Sequence, residues 1–536
     1  MSLFYKNGDC MKTTCMNILG RLTAGILLAA VSLAASAAAG VGEDPDLADS
    51  TWPTYHNDYA AQRYAHLTQI NTKNVTQLKE VCRLVLSDGG SLQAGPILVD
   101  GTMYVTTALD TFAIDPTNCK SLWKSSYKPL THMPFPVNRG AAYLNGLLFR
   151  GTPDGHLIAL DAKTGSKVWD NVIADTSYGE FASAAPIAWN GMVFMGIAGG
   201  DWGIRGRIMA YDAQSGRELW RFNTIPRGKE VGADTWKKAT ASQIGGGGTW
   251  SSYTLDVRAG ELFVSVGNPA QDMLPDERVG DNLFTNSLVV LDARTGGLKW
   301  WYQTQKNDPW DYDLSAPAML YQNGKIQEVA AVAGKDGYLL AVDRNTHKML
   351  FKTPVTTQFK EAPKPTKAGA KACPGFIGGT EWNGPAYDED NRLILVGAVD
   401  WCTIHKATGP DYERGQLRFG GSMTPLNDPK PSGWITAVNA ETGAVKWKFH
   451  TEAPVVAALT PTAGGLTFSG DTAGNFLAFE TATGKLLWSQ KLDGSMGGGI
   501  ITYAAKGKQY VAATTGNVSR VTFGGPGLPS IVVWGL

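Results

Sequence analysis

The hydrophobic pattern alternates over short segments along most of the chain. Short runs rich in Val, Ile, Leu and Phe are separated by clusters of Gly, Asp, Asn, Thr and Pro. Such runs, bounded by turn residues, are typical of β-strands, and long stretches with helical periodicity are scarce. The pattern therefore predicts an all-β protein.

One unit of sequence recurs along the chain. It reads apolar–x–Ala–apolar–Asp–x–x–Thr–Gly–x–x–x–Trp, and each copy predicts two strands joined by a tight turn. The reason is that Asp and Thr side chains bond the turn backbone and Gly tolerates positive φ. The copies end at Trp123, Trp169, Trp220, Trp300, Phe351, Trp447 and Trp488.

The aromatic residue that ends each copy is predicted to fill the gap between neighbouring sheets of a propeller. An aromatic cage around a cofactor is the alternative, but one cofactor cannot use seven equivalent positions. Residues 74–78 (NVTQL) run into Cys82, where the aromatic residue of an eighth unit would fall. We predict an eight-bladed β-propeller of four-stranded antiparallel blades with tryptophan-docking repeats.

The spacing of the copies predicts where functional loops lie. The intervals 212–292 and 343–439 are long, so we expect them to contain loops on one face of the propeller. Closure of the ring is predicted to pair the segment near Trp52 with the strand at residues 509–511, which would leave no open sheet edge.

Composition narrows the classes of protein. With 536 residues, 43% of them hydrophobic, the chain can bury a large core and is not disordered. Lys plus Arg and Asp plus Glu both number 48, so no broad basic field exists to hold nucleic acid.

The N-terminus has the pattern of an export signal. Lys12 and Arg21 precede an apolar stretch at residues 22–35, and small residues at 35–39 offer a cleavage site. A membrane anchor needs about 20 apolar residues, and this run is shorter. The N-terminal pattern therefore predicts export to the periplasm. No later stretch is long and apolar enough to span a bilayer.

These features divide the chain into two parts. Residues 1–39 are predicted to be a signal peptide, with residues 1–10 as an upstream extension because Met11 and Met16 are both plausible starts. Residues 40–536 are predicted to form a single propeller catalytic domain.

Four cysteines remain after the signal peptide, an even number in an oxidising compartment, so two disulfides are expected. Their pairing is open at this point. The four are Cys82, Cys119, Cys373 and Cys402.

Several cofactor motifs are missing from the sequence. No G-x-G-x-x-G opens a helix after a strand, which disfavours nicotinamide and flavin. The seven His lack metal-binding spacing, and no C-x-x-C-H exists for covalent haem. Any redox cofactor must be of another kind.

Two polar clusters stand out. In residues 308–313 (DPWDYD), Asp311 and Asp313 would point to the same side of a strand, which suits a hard cation or a general base. From this segment alone, a solvated acidic turn is the favoured interpretation. Residues 198–203 (AGGDWG) combine close-approach glycines with an acid and an aromatic ring.

Residues 52–78 carry the N-terminal pattern WP…D…RY…L…QIN…NV…L. With this pattern and the features above, the chain resembles, from Trp52 to the C-terminus, the alcohol dehydrogenases that depend on pyrroloquinoline quinone (PQQ). This pattern is more specific than any single motif above.

The resemblance implies a metal site of oxygen ligands. It assigns Asp201 in GGDWGIRG, Asn268 in VGNP and Asp311 in PWDYD to the metal. Asp313 resembles the extra ligand of lanthanide-using members, and Asp201 stands where Glu is common. Oxygen ligands suit Ca²⁺ or another hard cation, so Ca²⁺ and a lanthanide are both expected candidates.

The resemblance also implies a PQQ site. Trp250 would stack beneath the quinone, and its alternative role, blade packing, is less attractive because it lies outside the repeating Trp position. Buried quinone carboxylates would require cationic partners, which favours Arg139 and Lys335 as ligands over surface charges. The residues assigned to PQQ are Gln93 (where the family usually has Glu), Arg139, Ser183, Gly199, Gly200, Trp250 and Lys335.

Cysteines differ from the family in one place and match it in another. Methanol-oxidising members carry adjacent cysteines that form a lid over the quinone, whereas this chain has Met133-Pro134 there. Cys373 and Cys402 flank residues 378–382 as a disulfide does in relatives, which leaves Cys82 and Cys119 as the other pair.

The implied activity is oxidation of an alcohol to an aldehyde or ketone. Asp311 would accept the alcohol proton while the cation and Lys335 polarise a quinone carbonyl that takes the hydride. A soluble cytochrome c is the expected electron acceptor. A sugar, polyol or bulky secondary alcohol is an alternative substrate. A non-catalytic propeller scaffold is an alternative of another class, against which the polar site residues argue.

Overall fold

The computed structural model describes residues 51–536 apart from positions 88, 239, 325–326, 360–361 and 520–521. The predicted signal peptide, residues 1–39, and its upstream extension lie outside the described residues. Within the described part, regular structure consists of strands and short 3₁₀-helices, and no α-helix occurs there. The all-β prediction is confirmed.

The described strands form eight antiparallel sheets of four strands, numbered here 1 to 8 in chain order. Sheets 1 to 4 comprise Ile97–Val99, Thr102–Thr106, Asp110–Ile114 and Ser121–Ser126; Ala142–Leu144, Leu147–Gly151, His156–Asp161 and Lys167–Val172; Ile187–Trp189, Met192–Gly196, Arg207–Asp212 and Glu218–Asn223; Thr254–Asp256, Glu261–Ser265, Ser287–Asp292 and Leu298–Gln303. Sheets 5 to 8 comprise Met319–Asn323, Gln327–Ala333, Tyr338–Asp343 and Met349–Pro354; Ala386–Asp388, Leu393–Asp400, Ser432–Asn439 and Val445–Thr451; Thr460–Pro461, Leu466–Gly470, Asn475–Glu480 and Leu486–Lys491; Ile500–Ala505, Lys508–Thr515, Ser530–Gly535 and Lys79–Val85.

Smaller elements lie between and beside these sheets. A further sheet of three strands interrupts sheet 6 and comprises Ala370–Ala372, Thr403–Ala407 and Gly421–Pro425. The described 3₁₀-helices are Val75–Gln77, Thr176–Tyr178, Gly200–Trp202, Ala233–Thr235, Ala241–Gln243 and Pro275–Arg278.

The sheets pack side by side as propeller blades. First strands of neighbouring sheets contact one another, as Ala142–Leu144 and Ile187–Trp189 do. The middle strands are buried, whereas the fourth strand, such as Ser121–Ser126, exposes most of its residues. Apolar side chains of neighbouring sheets therefore form the core between them, and the chain is a β-propeller.

Each of the eight sheets has a β-bulge between its third and fourth strands at the end of the sequence unit. Ala159 faces Trp169, after which the register shifts so that Leu160 faces Lys167. The same shift in register occurs next to the pair that each of the other aromatic residues forms with the third strand. These residues are Trp123, Trp220, Trp300, Phe351, Trp447 and Trp488. In sheet 8 it follows Cys82, which faces Val533. Cys82 therefore holds the position that Trp holds in the other units, as the sequence predicts.

Four of the repeating tryptophans form a hydrogen bond to the next sheet. The indole Nε1 donates to a backbone carbonyl in the turn of the following sheet at Trp123, Trp169, Trp220 and Trp447, over 2.9 to 3.1 Å. The Trp123 ring packs on Gly165 of the next Thr-Gly turn, where a Cβ would come within 2.6 Å of the ring. The predicted gap-filling role is confirmed, and the turn glycine is what admits the ring.

A disulfide replaces this contact between sheets 8 and 1. Cys119 stands at the turn position that Gly165 has in sheet 2, and its φ is 57°. It is bonded to Cys82, with 5.7 Å between the two Cα atoms. The second disulfide joins Cys373 and Cys402. Both predicted pairings are confirmed.

The predicted closure of the ring is wrong. Lys79–Val85, not the segment near Trp52, completes the last sheet, and it pairs with Ser530–Gly535. Trp52 instead bridges to Leu98 in sheet 1. The reason is that Lys508–Thr515 already has a neighbouring strand on each side, so the N-terminal strand adds at the outer edge of Ser530–Gly535.

Candidate functional site

The end of each sheet where its first strand begins carries the predicted site residues. Because neighbouring strands are antiparallel, the start of the first strand and the loop between the second and third strands lie at the same end of a sheet. Gln93, Arg139, Ser183 and Trp250 precede the first strands of sheets 1 to 4 by three or four residues. The second-to-third-strand loops of sheets 3, 4 and 5 contain Asp201, Asn268 and Lys335.

These residues surround one cavity of about 310 Å³. This volume lies at the low end of the ~300–1,000 Å³ range of small-molecule sites. The cavity is lined by every predicted site residue: Gln93, Arg139, Ser183, Gly199, Gly200, Asp201, Trp250, Asn268, Asp311, Asp313 and Lys335.

Arg139 is held against an aromatic ring. Its Nη1 donates to Ser183 Oγ at 2.9 Å and to the Trp250 carbonyl at 2.8 Å. The guanidinium carbon lies 4.6 Å from the centre of the Trp250 ring and 5.2 Å from that of Trp382. Burial lowers the pKa of Arg139 to about 10, so it stays cationic at neutral pH. The site thus presents a fixed cation beside two indole rings.

Lys335 contacts two carboxylates. Its Nζ lies 3.3 Å from Asp311 Oδ1 and 2.6 Å from Asp313 Oδ2. Burial by itself would lower the pKa of Lys335, but the charges of Asp311 and Asp313 raise it well above its ordinary value. Asp313 Oδ1 accepts from the backbone N–H of Asn268 at 3.0 Å, so both of its oxygens have protein partners.

The segment around Asp311 is neither a strand nor a solvated turn. It lies outside regular structure, and Asp311 has a φ of 62° and is 3% exposed. The buried Asp308 carboxylate shapes this loop by accepting from the backbone N–H groups of Trp310 and Tyr312 at 2.9 and 2.7 Å. The solvated-turn interpretation is therefore wrong. Asp311 and Asp313 still converge, but on Lys335 rather than on one face of a strand.

A cluster of carboxylates lies beside this pair. Among the described residues, one oxygen each of Asp201, Asp272 and Asp311 lies within 4.8 Å of the others. Burial, and next the charge of Asp313, raises the pKa of Asp201 to about 6. Burial and neighbouring carboxylates raise the pKa of Asp272 and of Asp311 well above its ordinary value. Such a group of acids favours a bound cation.

The sequence did not single out Asp272. Its only local signal is its place four residues after Asn268, in the same loop. Glu381 and Trp382 belong to residues 378–382, for which the sequence predicts no role in the site, yet both line the cavity. Burial raises the pKa of Glu381 to about 7. Pro134, which stands in place of the family's cysteine lid, also lines the cavity.

Both long intervals of the sequence contribute to the cavity, as predicted. The first supplies Trp250 and Asn268, and the second supplies Glu381, Trp382 and Phe419. The three-stranded sheet belongs to the second interval. The two long intervals therefore form part of the wall of the cavity.

The residues present fit a hard cation and an acidic planar cofactor. Asp272 Oδ2 is buried without a hydrogen-bond partner among the described residues. A carboxylate oxygen is the kind of ligand atom that a hard cation binds. Gln93 Oε1 and Arg139 Nε are likewise buried and unpartnered in this part of the chain. Two indoles and two cations suit a flat, negatively charged ring system. The fold and the site thus define a β-propeller that binds an acidic aromatic cofactor and a metal ion.

Comparisons with known proteins agree with this class. The family model for the glucose/ethanol/alcohol dehydrogenase β-propeller domain matches residues 52–359. A second model, described as outer membrane protein assembly factor BamB, matches residues 431–523. The chain belongs to the PQQ-dependent alcohol dehydrogenase family, and it is a quinoprotein oxidoreductase.

Similar proteins extend over most of the chain. Quinohemoprotein alcohol dehydrogenase ADH-IIG of Pseudomonas putida is 30% identical over 88% of this chain and 73% of that protein. The lanthanide-dependent methanol dehydrogenase of Methylacidiphilum fumariolicum is 30% identical over 87% of this chain and 84% of that protein. The solved structure of a europium-containing methanol dehydrogenase has a TM-score of 0.83 at 26% identity, covering 91% of this chain and 98% of that one.

Proposed function

We propose that this chain oxidises an alcohol to an aldehyde or ketone, with PQQ and a hard cation bound in the cavity described above. The observation that carries the proposal is the contact of 3.3 Å between Asp311 Oδ1 and Lys335 Nζ at the wall of this cavity. It places a candidate base and a candidate electrophilic cation side by side, next to the Trp250 ring. PQQ, when bound, supplies the acceptor for the two electrons of the alcohol.

The residues that hold PQQ are proposed from their chemistry. Arg139 pairs with its acidic groups, and Trp250 offers a flat apolar face. Gln93 and Ser183 provide neutral hydrogen bonds from the segments before sheets 1 and 3. Gly199 and Gly200 let the backbone approach the ring closely, because neither carries a side chain.

The proposed metal ligands are Asp201, Asn268 and Asp311, with Asp313 as a further candidate. All are oxygen donors, and such sets bind Ca²⁺ or a lanthanide rather than a soft metal. A bound cation would offset the repulsion between Asp201 and Asp311. Asp313, paired with Lys335, keeps that ammonium group in place.

Asp311 is the proposed general base. Burial raises the pKa of Asp311, so its carboxylate has a higher affinity for a proton than an exposed carboxylate has. A higher affinity makes it a stronger base for removing the proton of a hydroxyl group. The Lys335 ammonium group lies 3.3 Å from Asp311 Oδ1. It can therefore stabilise the negative charge that Asp311 carries before it accepts the proton. Water is largely excluded, because the Asp311 side chain is buried.

The lining of the cavity favours an alcohol with an apolar substituent over a sugar. Apolar side chains form much of its lining, and a sugar would leave hydroxyl groups without partners there. They include Phe135, Phe181, Leu417, Phe419 and Phe523. The unpartnered buried polar atoms of the site also disfavour a non-catalytic scaffold, which would have no use for them.

The location, electron acceptor and domain organisation are part of the proposal. The N-terminal pattern and two disulfides support a periplasmic enzyme. No helix among the described residues is long and apolar enough to cross a membrane. We propose a separate cytochrome c as the electron acceptor; this sequence carries no haem-attachment motif. Eight sheets with one shared bulge support eight blades in a single domain, residues 40–536.

Replacement of Asp311 by Asn tests the proposed base. Asp311→Asn should lower kcat by about 10²–10⁴-fold, since general-base help is worth that much. PQQ uptake, followed by its visible absorbance, should persist. The measurement is dye reduction with PQQ plus Ca²⁺ or La³⁺ across primary, secondary and sugar alcohols.

The matched control is Asp388→Asn, which alters a buried acid of sheet 6 that does not line the cavity. It should retain normal turnover. Near-normal turnover in Asp311→Asn would eliminate Asp311 as the base. Failure of the unaltered protein to take up PQQ would count against the whole proposal.

A further inference from the structure

Three carboxylates converge from three different sheets. Asp201 belongs to a loop of sheet 3, Asp272 to a loop of sheet 4, and Asp311 to the segment before sheet 5. One oxygen of each lies within 4.8 Å of the others, among the residues that the structure describes. Like charges at this distance repel strongly where water is excluded, so the arrangement calls for a cation.

Asp272 has an oxygen that no protein group satisfies. Its side chain is fully buried, at 0% exposure, and Oδ2 lacks a hydrogen-bond partner in the described part of the chain. Its other oxygen, Oδ1, accepts from the side-chain amide of Asn268. A buried carboxylate oxygen without a partner is costly, and a bound cation would remove that cost.

The same contact orients Asn268. Because its Nδ2 faces Asp272, its Oδ1 is left to face the other way. A Cβ placed on Gly200 would lie 3.8 Å from this Oδ1, so the amide oxygen points towards the loop that carries Asp201. The amide oxygen of Asn268, the kind of atom that a cation binds, thus lies on the side of Gly200 and away from Asp272.

Asp313, the further candidate among the proposed metal ligands, is less available to a cation than Asp272 is. Its Oδ2 lies 2.6 Å from Lys335 Nζ, and its Oδ1 accepts from the Asn268 backbone at 3.0 Å. Both oxygens are thus engaged, whereas Asp272 Oδ2 is not. The third carboxylate of the cluster is Asp272.

We propose that Asp272 is a metal ligand through Oδ2, and that the resulting site of three carboxylates favours a trivalent lanthanide over Ca²⁺. This inference rests on the proposed function, which places a metal ion in the same cavity. Each anionic ligand attracts a trivalent ion more strongly than a divalent ion of similar size, and ligand charge count tunes the affinity of such oxygen sites. The third charge therefore contributes more to lanthanide binding than to Ca²⁺ binding.

The test measures metal binding without turnover. Metal-free protein is titrated with Tb³⁺, whose emission is sensitised by the indoles of Trp202 and Trp250 in the same cavity. Ca²⁺ is then added in competition. The test variant is Asp272→Asn, because Asn keeps the acceptor for Asn268 and removes only the charged oxygen.

We expect the Kd for Tb³⁺ to rise by about 10- to 100-fold in Asp272→Asn, and the Kd for Ca²⁺ to rise less. Luminescence lifetimes in H₂O and D₂O should show about one additional water on the bound Tb³⁺, since a water replaces the lost carboxylate oxygen. Asp388→Asn is the control and should bind both ions as the unaltered protein does.

Folding is monitored by circular dichroism and thermal unfolding. Metal-free Asp272→Asn should unfold at the same temperature as the unaltered protein or at a higher one, because one of three repelling charges is gone. Should it not fold, Asp272→Ser is measured in the same way.

Unchanged Tb³⁺ affinity and hydration in the variant would overturn the ligand role of Asp272. Equal losses for Tb³⁺ and Ca²⁺ would overturn the selectivity. Absence of binding of either ion by the unaltered protein would instead overturn the metal site of the proposed function.

Discussion

At the scale of single residues, Arg139 shows how one side chain is fixed by several weak contacts. Its guanidinium donates to a hydroxyl and to a carbonyl, and it lies over the ring of Trp250. These contacts require a planar fork of donors, which Lys lacks. Its orientation is therefore set before any ligand arrives, which reduces the entropy lost on binding.

Arg139→Lys should weaken PQQ binding by about tenfold or more, because the positive charge remains but the paired hydrogen bonds and the stacking are lost. Titration with PQQ, followed by tryptophan fluorescence quenching, gives the Kd. Arg258→Lys, which alters an exposed arginine in a turn of sheet 4, is the control and should not change it. An unchanged Kd in Arg139→Lys would show that charge alone matters.

At the scale of elements, the eight sheets share one device at their outer edge. A bulge precedes an aromatic residue in sheets 1 to 7, and after sheets 1, 2, 3, 5 and 6 a glycine in the turn of the next sheet admits its ring. At the junction between sheets 8 and 1, Cys82 and Cys119 occupy the same two positions and form a covalent bond. The closing contact is thus held by a disulfide where the other contacts are held by packing.

Removal of this disulfide should be partly compensated by restoring the repeat. Cys82→Ser with Cys119→Gly should lower the free energy of unfolding by about 2–5 kcal/mol. Cys82→Trp with Cys119→Gly should be more stable than that variant, because an indole can again pack on a turn glycine. Denaturant unfolding of both variants makes the comparison, and equal stability would contradict the proposed equivalence.

At the scale of the whole molecule, buried histidines make stability depend on pH. Burial lowers the pKa of His405 from 6.5 to about 4, and burial, with Arg63 nearby, lowers the pKa of His56 well below its ordinary value. The unfolded chain therefore binds more protons than the folded chain between pH 6.5 and about 4. The contribution of these two histidines to stability is complete above pH 6.5 and is lost as the pH drops through this range.

The contribution of His405 to this loss is up to about 3 kcal/mol, from a shift of ~2.5 pKa units. His405→Gln should therefore lose less stability than the unaltered protein between pH 7 and pH 4.5. Denaturant unfolding at the two pH values measures this, with His450→Gln, which alters an exposed histidine, as the control. Equal losses in the unaltered protein and His405→Gln would refute the assignment.

The repeat could be predicted because its causes are local. Alternation sets the strands, Asp and Gly set the turn, and an aromatic residue at constant spacing identifies the contact between sheets. The end of the ring could not be predicted in this way. Whether Trp52 or Lys79–Val85 completes the last sheet depends on which strand edge is free, and that depends on the whole ring.

The residues of the site can also be divided into those that sequence motifs predict and those that only the structure reveals. Residues such as Asp311, Lys335 and Trp250 could be named from sequence because they lie in short motifs that resemble a known family. Asp272 and Glu381 carry no such motif, and only their position beside the cavity reveals them.

By itself, the sequence determined the strands, the repeating contact between sheets and the class of cofactor, because these depend on neighbouring residues or on short motifs. Only the tertiary structure decided that Asp272 joins Asp201 and Asp311. Asp201, Asp272 and Asp311 are far apart in the chain, and their proximity follows from packing the same ends of three sheets around one axis. Distance in space, unlike spacing in sequence, is set by the complete fold.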